Sequence, residues 1–332
     1  MDVQTVMVEE FGPPEALVVR EVEPPLPAAG EVVIDVAAAS LNFPDVLVAA
    51  GTYQILPERP FIPGKELAGT VSAVGDGVDD LRIGDRVAAQ VEHGAFAAQV
   101  SVARDLVVPV PDGVSLEVAS TVGLVYATAH YALRRRAAMQ PGETVLVTGA
   151  TGGVGAAAVQ LAKAWGATVI ATATGEDAAQ LVREQGADHV VAADPASLRA
   201  DVRALTDGRG VDVAVEAIGG DLFAQVLRCM AWEGRLVIAG FASGDVPTMK
   251  TGHVLVKNIA VTGLQVSDYR DRDPHGFAAV LTEILDLVAA GRVRAEVAHQ
   301  FRLDETPKAL GLLAARALRG RIVVTPASEG TA

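Results

Sequence analysis

The sequence is poor in cysteine and in basic residues. Its 332 residues include one cysteine, which excludes an internal disulfide framework and a four-thiolate zinc site. Lys and Arg number 27 against 41 Asp and Glu, so the net charge is −14, which argues against a nucleic-acid-binding protein. The chain has no apolar run of about 18 residues and nothing near Met1 that resembles a signal peptide. We therefore expect a cytoplasmic protein without a membrane span.

The composition fits a folded protein with large hydrophobic cores. Half of the residues are hydrophobic and 20% are charged, and the length corresponds to roughly two domains at about 150 residues each. The first hundred residues contain short strand-like runs, at 32–36, 67–74 and 86–91, separated by prolines and glycine turns. Short strands separated in this way by prolines and glycine turns are typical of a barrel-like β domain. From 115 to about 136 the sequence predicts a helix.

The middle of the chain alternates between strands and helices. Apolar runs predict six strands, at 144–148, 168–172, 190–191, 211–217, 235–240 and 259–266. Segments with apolar residues at helical spacing lie between most of them. Such an alternation predicts a doubly wound parallel sheet of the dinucleotide-binding type.

A glycine-rich turn follows the first of these strands. Ala150, Gly152 and Gly155 occupy the three positions of the Gly-x-Gly-x-x-Gly fingerprint, with alanine in place of the first glycine. Gly152 leaves room for a pyrophosphate near the backbone, and Gly155 lets the helix pack closely on the strand. The amides at the helix start would bind the phosphates. This context predicts a dinucleotide site.

The end of the second strand bears on the choice between NADPH and NADH. An NAD enzyme has an acidic residue there for the ribose hydroxyls, whereas this chain has Ala173 flanked by Thr172 and Thr174. These residues favour NADPH because none of them repels a 2′-phosphate. Glu176 and Asp177 follow closely, so NADH stays the alternative.

Five stretches together resemble one family. The sequence is similar to the medium-chain dehydrogenase/reductases, and within them to the zinc-free quinone oxidoreductase branch that includes ζ-crystallin-like proteins. The stretches are 39–45 with 51–53, 60–69, 84–87, the glycine turn at 145–155, and 320–324. The resemblance runs nearly end to end. It implies a GroES-like β-barrel catalytic domain, from 1–122 and 267–332, and an inserted Rossmann nucleotide-binding domain at 123–266.

The sequence departs from the alcohol dehydrogenase branch at its zinc positions. Lys65 stands where that branch has a zinc-binding histidine, and its ligand cysteine falls near Asn42. A charged ammonium has no lone pair, and the six histidines show no ligand spacing. We therefore expect no metal. Without a Lewis acid, the acceptors that fit best are already electrophilic, namely quinones and α,β-unsaturated carbonyls.

The resemblance also implies which residues form the active site. Asn42 and Tyr53 are the implied catalytic pair, which would donate hydrogen bonds to the acceptor. We expect Asp45 and Glu66 to be buried hydrogen-bond anchors, with Lys65 paired to one of them. The implied cofactor-binding residues are Asn42, Asp45, Thr128, Ala150, Thr151, Gly152, Gly153, Val154, Gly155, Thr172, Thr174, Gly175, Ile218, Phe241, Ala242 and Ser243.

The leading hypothesis is an NAD(P)H-dependent reductase of quinones or other activated carbonyl or alkene acceptors. Two alternatives stay open, a 2-enoyl-thioester reductase and a non-catalytic NADPH-binding protein. The family also implies a homodimer formed through the last strand of the nucleotide sheet, which we place at 256–266.

Overall fold

The computed structural model describes residues 2–326, which divide into two compact units. The first unit contains the residues up to Leu124, Ser267–Ala290, and the residues from Ala295 onward. The second unit contains Val125–Val266 and Gly291–Arg294. The first unit is therefore built from both ends of the chain.

The described residues form fifteen strands and eleven α-helices. The strands are β1 Val3–Met7, β2 Val18–Val22, β3 Glu31–Ser40, β4 Glu66–Val74, β5 Arg86–Gln90, β6 Gln99–Ala103, β7 Val107–Pro109, β8 Thr144–Val147, β9 Thr168–Ala173, β10 His189–Ala192, β11 Val211–Glu216, β12 Met230–Ile238, β13 Ala260–Gly263, β14 Val297–Arg302 and β15 Arg321–Thr325. The helices are α1 Phe43–Ala49, α2 Leu116–Ala119, α3 Val125–His130, α4 Gly153–Ala164, α5 Glu176–Glu184, α6 Leu198–Leu205, α7 Gly220–Cys229, α8 Gly252–Lys257, α9 Val266–Arg272, α10 Pro274–Ala289 and α11 Thr306–Ala314.

The first unit is a mainly antiparallel β structure centred on β3, in which β14 and β15 pair in parallel. Its main sheet has the order β14-β15-β3-β4-β5-β7, and β6 also pairs with β3. Ile34, Leu67, Phe96 and Val324 belong to one buried core inside these strands. Glycine is required at position 69 of β4, because a Cβ there would lie 2.0 Å from the carbonyl oxygen of Asp35 on β3. The predicted barrel-like β domain is confirmed.

The second unit is a six-stranded parallel sheet with the order β10-β9-β8-β11-β12-β13. Numbered within the sheet, this order is 3-2-1-4-5-6, the doubly wound arrangement predicted from the sequence. Leu146, Ile170, Ala214 and Leu236 are fully buried in these strands. Central strands of a parallel sheet are covered on both faces, which explains why they read as continuous apolar runs.

The predicted helix over 115–136 is interrupted. The structure has α2, then a non-helical segment, then α3, which continues as a π-helix over Tyr131–Arg136. The hydroxyls of Ser120 and Thr121 donate to the carbonyls of Glu117 and Val118, three residues earlier, each at 2.8 Å. Such hydroxyl bonds compete with helical backbone bonds and account for the break at this point.

The last strand of the parallel sheet is shorter than either predicted range, 259–266 or 256–266. Residues 252–257 form α8, which ends at Asn258 in the left-handed conformation, with φ 52°. The strand then covers only Ala260–Gly263. The run Val254-Leu255-Val256 has β-branched residues that favour a strand, but the first part of the segment folds as a helix. Within residues 2–326, no helix is long and apolar enough to cross a membrane.

Candidate active site

The glycine-rich turn connects β8 to α4 in the second unit. Gly149 has φ +62°, and a Cβ there would lie 2.8 Å from Cδ1 of Ile218. A Cβ on Gly155 would lie 2.2 Å from the carbonyl oxygen of Gly149. Gly152 precedes the first residue of α4 and is exposed. The chain therefore needs glycine at 149 and 155 for its own packing, whereas glycine at 152 keeps an exposed backbone surface bare.

This turn has the properties of a phosphate cradle. The first N–H groups of an α-helix have no partner within the helix and lie at the positive end of its dipole. In α4 these groups belong to the predicted residues Gly153, Val154 and Gly155, which follow Thr151 and Gly152. Ala150 is fully buried, so its side chain supports the turn from inside. The turn fits the pyrophosphate of a dinucleotide.

The end of β9 supplies uncharged polar groups. Thr172 is buried, and among the described residues its Oγ1 has no hydrogen-bond partner. Thr174 and Gly175 are exposed, and Gly175, the residue before α5, has φ +84°. Glu176 pairs with Arg183 at 2.6 Å, so the nearest carboxylate is partly neutralised within α5. An orphaned buried hydroxyl beside exposed backbone fits the ribose end of a dinucleotide.

Two further loops lie at the same edge of the sheet, after β11 and β12. Ile218 is partly exposed, while Phe241, Ala242 and Ser243 are exposed. The N–H of Ala242 donates to the carbonyl of Ala217 at 2.9 Å, and the N–H of Ser243 donates to the carbonyl of Ile218 at 2.8 Å. The structure thus brings the predicted residues of these loops together with those of the glycine turn. Carboxyl ends of parallel strands are where such sheets bind ligands.

Thr128 lies elsewhere in the second unit, on the buried helix α3. That helix packs against α4, so Thr128 is connected to the glycine turn through the helix that the turn begins.

Sequence reasoning missed a buried carboxylate in the second unit. Glu216, the last residue of β11, is 0% exposed and accepts hydrogen bonds from Thr148 Oγ1 at 3.2 Å and from the N–H groups of Ile218 and Gly219 at 2.9 Å each. Burial raises the pKa of Glu216, and these hydrogen bonds oppose the shift. The sequence feature that could have revealed it is an acidic residue at the end of an apolar strand. This strand end lies at the edge of the sheet where the predicted loops come together.

In the first unit, Asn42 precedes α1 and is buried. Its Nδ2 donates to Glu66 Oε1 at 2.8 Å and to the carbonyl of Ser40 at 3.3 Å, and its Oδ1 accepts two hydrogen bonds from Arg321 at 3.1 Å. Its backbone N–H donates to Asp45 Oδ2 at 2.7 Å. In this arrangement both ends of the Asn42 amide are used inside the protein. Its catalytic role stays a prediction.

Glu66 is the hub of this network. It is 0% exposed, pairs with Arg321 through Oε1, and accepts the backbone N–H of Leu124 at 2.8 Å through Oε2. Gly123 allows this approach, because a Cβ there would lie 3.3 Å from the Glu66 carboxylate. The expectation of a buried hydrogen-bond anchor fits Glu66. It joins the start of β4 to the start of β15.

Lys65 is 1% exposed and pairs with Glu92. Its Nζ also donates to the Glu92 carbonyl at 3.0 Å, and the other carboxylate oxygen of Glu92 accepts from Arg270 at 3.0 Å. The expectation that Lys65 pairs with Asp45 or Glu66 was therefore wrong. The backbone explains the result. Val91 donates its N–H to the carbonyl of Lys65 at 2.9 Å, which places Lys65 opposite the residues that follow β5.

Tyr53 is half-buried and packs against the core of the first unit. The Nζ of Lys65 lies 4.9 Å from the centroid of the Tyr53 ring, within the range of a cation–π interaction. The predicted residue Tyr53 thus contacts the buried ion cluster formed by Lys65, Glu92 and Arg270.

Asp45 belongs to the polar cluster of the first unit, and one of its carboxylate oxygens has no hydrogen-bond partner among the described residues, which is also true of the Nε of Arg321. Asp45 is buried, and the oxygen without a partner is Oδ1. Burial raises the pKa of Asp45 to about 7, while the positive charge of Lys65 opposes that shift. Burial therefore favours the protonated form of Asp45 over a wider pH range than for an exposed aspartate.

Comparison with known proteins identifies the family. Residues 28–112 match the model of the alcohol dehydrogenase GroES-like domain, and residues 153–285 match that of zinc-binding dehydrogenases. The quinone oxidoreductase of Pseudomonas aeruginosa is 36% identical over 95% of this chain and 97% of its own. The chain belongs to the quinone oxidoreductase branch of the medium-chain dehydrogenase/reductases. The resemblance and the two-part fold predicted from the sequence are confirmed.

Solved structures of this family have the same fold. A quinone oxidoreductase of Escherichia coli, complexed with NADPH, is 30% identical, with a TM-score of 0.89, and 97% of this chain covers 100% of that one. The CurK enoyl reductase is 28% identical, with a TM-score of 0.87 over 98% of this chain and 100% of its own. As a member of this family, the protein is an oxidoreductase.

One of the two matching families is described as zinc-binding, which raises the question of whether side chains of this protein could coordinate zinc. Among residues 2–326, no group of three or more His, Cys, Asp or Glu side chains is placed to hold a metal ion. At the two positions singled out from the sequence, Lys65 is an ammonium bound to Glu92, and the Asn42 amide is bound to Glu66 and Arg321. Cys229 is buried, and burial raises its pKa to about 11. These residues do not fit a zinc site.

Proposed function

We propose that this protein is an NADPH-dependent reductase that transfers hydride, without zinc, to quinones or other activated carbonyl or alkene acceptors. The observation that carries the proposal is the glycine-rich turn, with its bare backbone at Gly152 and uncharged groups at the end of β9. Catalysis is assigned to the domain of 1–122 and 267–332, and cofactor binding to the domain of 123–266.

The second unit would hold NADPH through three parts of its sheet edge. The start of α4 would bind the pyrophosphate, and Thr172 and Thr174 would donate to the 2′-phosphate. The loops that contain Ile218 and Phe241 would contact the remainder of the cofactor through backbone groups. When bound, NADPH supplies the hydride. The NADPH complex of the Escherichia coli relative supports this assignment.

The first unit would act on the acceptor through Tyr53. Its hydroxyl can donate a hydrogen bond to a carbonyl oxygen and stabilise the negative charge that develops there. The Lys65 ammonium near the ring adds a fixed positive charge to this environment. Asn42 would position α1 rather than donate a hydrogen bond to the acceptor, because its amide already binds Glu66 and Arg321.

Acceptor specificity separates the proposed function from its alternatives. Purified protein is mixed with NADPH alone, then with 1,4-benzoquinone, a simple enone or a 2-enoyl thioester, and NADPH oxidation is followed. We expect turnover with the quinone and the enone. Preferred turnover of the thioester would support an enoyl reductase, which the similarity to CurK favours. Cofactor binding without turnover of any of these acceptors would support the non-catalytic alternative.

The zinc-free mechanism has its own test. Elemental analysis should find no stoichiometric zinc, and a chelator should leave quinone reduction unchanged. One tightly bound zinc ion per chain would overturn this part of the proposal.

A homodimer through the outer edge of β13 is also part of the proposal. This strand pairs only with β12 among the described strands, and the preceding helix exposes Leu255 at 78% and Val256 at 74%. An unpaired strand beside exposed apolar side chains is usually covered by a partner. Light scattering at micromolar concentration should give twice the chain mass, and a monomer would contradict the proposal.

A further inference from the structure

Glu216 connects two loops that the proposed function assigns to NADPH. Its Oε1 accepts from Thr148 Oγ1 and from the N–H groups of Ile218 and Gly219, and the second carboxylate oxygen accepts from the Gly219 N–H at 3.2 Å. Thr148 Oγ1 in turn accepts the N–H of Ala217 at 3.1 Å. One carboxylate therefore fixes both the residue before the glycine turn and the loop after β11.

The constraint extends to the neighbouring parts of the sheet edge. The Ala217 and Ile218 carbonyls accept the N–H groups of Ala242 and Ser243 from the loop after β12. The Ile218 side chain occupies the space above Gly149, where a Cβ would be 2.8 Å from its Cδ1. Displacing the loop at 217–219 would therefore disturb the turn on one side and the loop after β12 on the other.

The Glu216 carboxylate is buried without a positively charged partner among the described residues. The carboxylate is fully buried, and the groups that bind it are a hydroxyl and backbone N–H groups, with no Lys, Arg or His in an ion pair with it among the described residues. Burying a carboxylate without a counter-charge is costly, and burial raises the pKa of Glu216 accordingly. A neutral side chain would avoid that cost. The carboxylate therefore has to contribute by ordering the groups that donate hydrogen bonds to it.

We propose that Glu216 is a positioning residue for the cofactor, whose carboxylate holds the glycine turn and the loop after β11 in the arrangement that binds NADPH. The inference rests on the proposed NADPH binding. The Glu216 carboxylate accepts through both oxygens, whereas a glutamine would keep one acceptor oxygen and place an NH₂ group against the Gly219 N–H, which cannot accept a hydrogen bond.

The experiment compares E216Q with D212N. Asp212 lies on the same strand near its opposite end, and its Oδ2 accepts the Thr144 N–H at 2.8 Å. It is thus a carboxylate that binds backbone and the Arg209 guanidinium, away from the predicted cofactor loops. The Kd for NADPH is measured by nicotinamide fluorescence on wild type and both variants, together with kcat at saturating NADPH and 1,4-benzoquinone.

We expect E216Q to raise the Kd for NADPH about tenfold, the effect of one lost charge-assisted hydrogen bond, with kcat within about twofold of wild type. D212N should leave the Kd unchanged. A folded E216Q protein with the wild-type Kd, or an equal rise in D212N, would overturn the inference. Failure of the wild type to bind NADPH would instead show that the proposed function is wrong, and the inference would fall with it.

A second pair of variants decides the matter if E216Q does not fold. T148V removes the hydroxyl that bridges Glu216 and Ala217 with little change in shape, and T148S retains it. T148V should raise the Kd for NADPH about threefold, while T148S should bind like wild type. Wild-type binding by T148V, or equal weakening by both variants, would count against a positioning role.

Discussion

Each unit buries a glutamate at a strand terminus, Glu66 at the start of β4 and Glu216 at the end of β11, but the two carboxylates have different hydrogen-bond partners. Glu66 in the first unit meets a cation, Arg321, together with the Asn42 amide and one backbone N–H. Among residues 2–326, Glu216 in the second unit binds a hydroxyl and backbone N–H groups and no cation. One carboxylate is neutralised by an opposite charge, and the other is stabilised by dipoles.

This difference extends to the surroundings of each glutamate and fits the proposed division of labour. The first unit also buries Lys65 and Arg270 around Glu92, so fixed charges lie close to Tyr53. Fixed charges can stabilise charge that develops during reduction of an acceptor. The loops of the second unit carry glycines and hydroxyls, which would accept an anionic cofactor under the proposed function.

The largest effect we expect comes from breaking the charge pair of the first unit. R321M leaves Glu66 buried without its cation and should lower the free energy of unfolding by about 3–5 kcal/mol. The matched control is R302M, which removes an exposed ion pair with Asp304 in the same unit and should cost at most about 1 kcal/mol. Urea denaturation of both variants and wild type provides the measurement.

A double variant sharpens this test. E66Q combined with R321M removes both charges, so it should recover part of the stability lost in R321M alone. Equal losses in R321M and R302M would show that the Glu66–Arg321 pair is not the stabilising contact of the first unit.

The second effect concerns pH and the buried carboxyl of Asp45. Because its pKa is raised to about 7, the folded protein retains a proton that the unfolded chain releases near pH 4. The wild type should therefore lose stability relative to D45N as pH rises from about 4 to 7, with no further change above. Over this pH range, the free energy of unfolding of the wild type should fall by at most about 4 kcal/mol relative to that of D45N. Urea denaturation at each pH measures it.

Asp80, an exposed aspartate in the same unit, is a control for which the pH dependence of stability should have the opposite sign. The hydrogen bond from Arg104 lowers the pKa of Asp80, so its stabilising contribution is lost as pH falls. D80N should therefore differ from wild type in the opposite direction and by less. A D45N difference that does not depend on pH would contradict the raised pKa of Asp45.

The sequence predicted the parts of this account that depend on local patterns. Alternating apolar runs predicted the sheet of the second unit, and the glycine spacing predicted the turn at 149–155. The pairings in the first unit could not be predicted in this way, because they join residues far apart in the chain. Lys65 and Glu92 are 27 positions apart, and Arg321 and Glu66 are 255 apart. Glu216 was missed because its donors are mostly backbone N–H groups, which leave no side-chain pattern.

The third effect separates two glycines of the second unit. G155A places a Cβ against the Gly149 carbonyl and should destabilise the protein by about 1–3 kcal/mol. Gly152 has φ −88° and only one near atom, at 3.3 Å, so G152A should fold normally. It should nevertheless weaken NADPH binding, because the methyl group occupies the phosphate cradle. Thermal denaturation and cofactor titration of both variants measure the two effects, and equal behaviour of the variants would contradict the assigned roles.

The smallest effect concerns the choice of cofactor. Thr172 and Thr174 offer uncharged donors to a 2′-phosphate and no cation, so we expect a preference for NADPH over NADH of about tenfold, or about 1.4 kcal/mol. A173D restores an acidic residue at the end of β9 and should reverse the preference. The measurement is kcat/KM for both cofactors with one quinone. A wild-type preference for NADH would show that Glu176 or Asp177 binds the ribose.

The central claim is that the first unit acts on the acceptor while the second unit binds the cofactor, and Y53F tests it most directly. The measurement is kcat/KM for 1,4-benzoquinone at saturating NADPH, with the Kd for NADPH determined on the same samples. We expect Y53F to lower kcat/KM by about tenfold to a hundredfold and to leave the Kd within about twofold of wild type. An unchanged kcat/KM, or a loss explained entirely by weaker NADPH binding, would contradict the account.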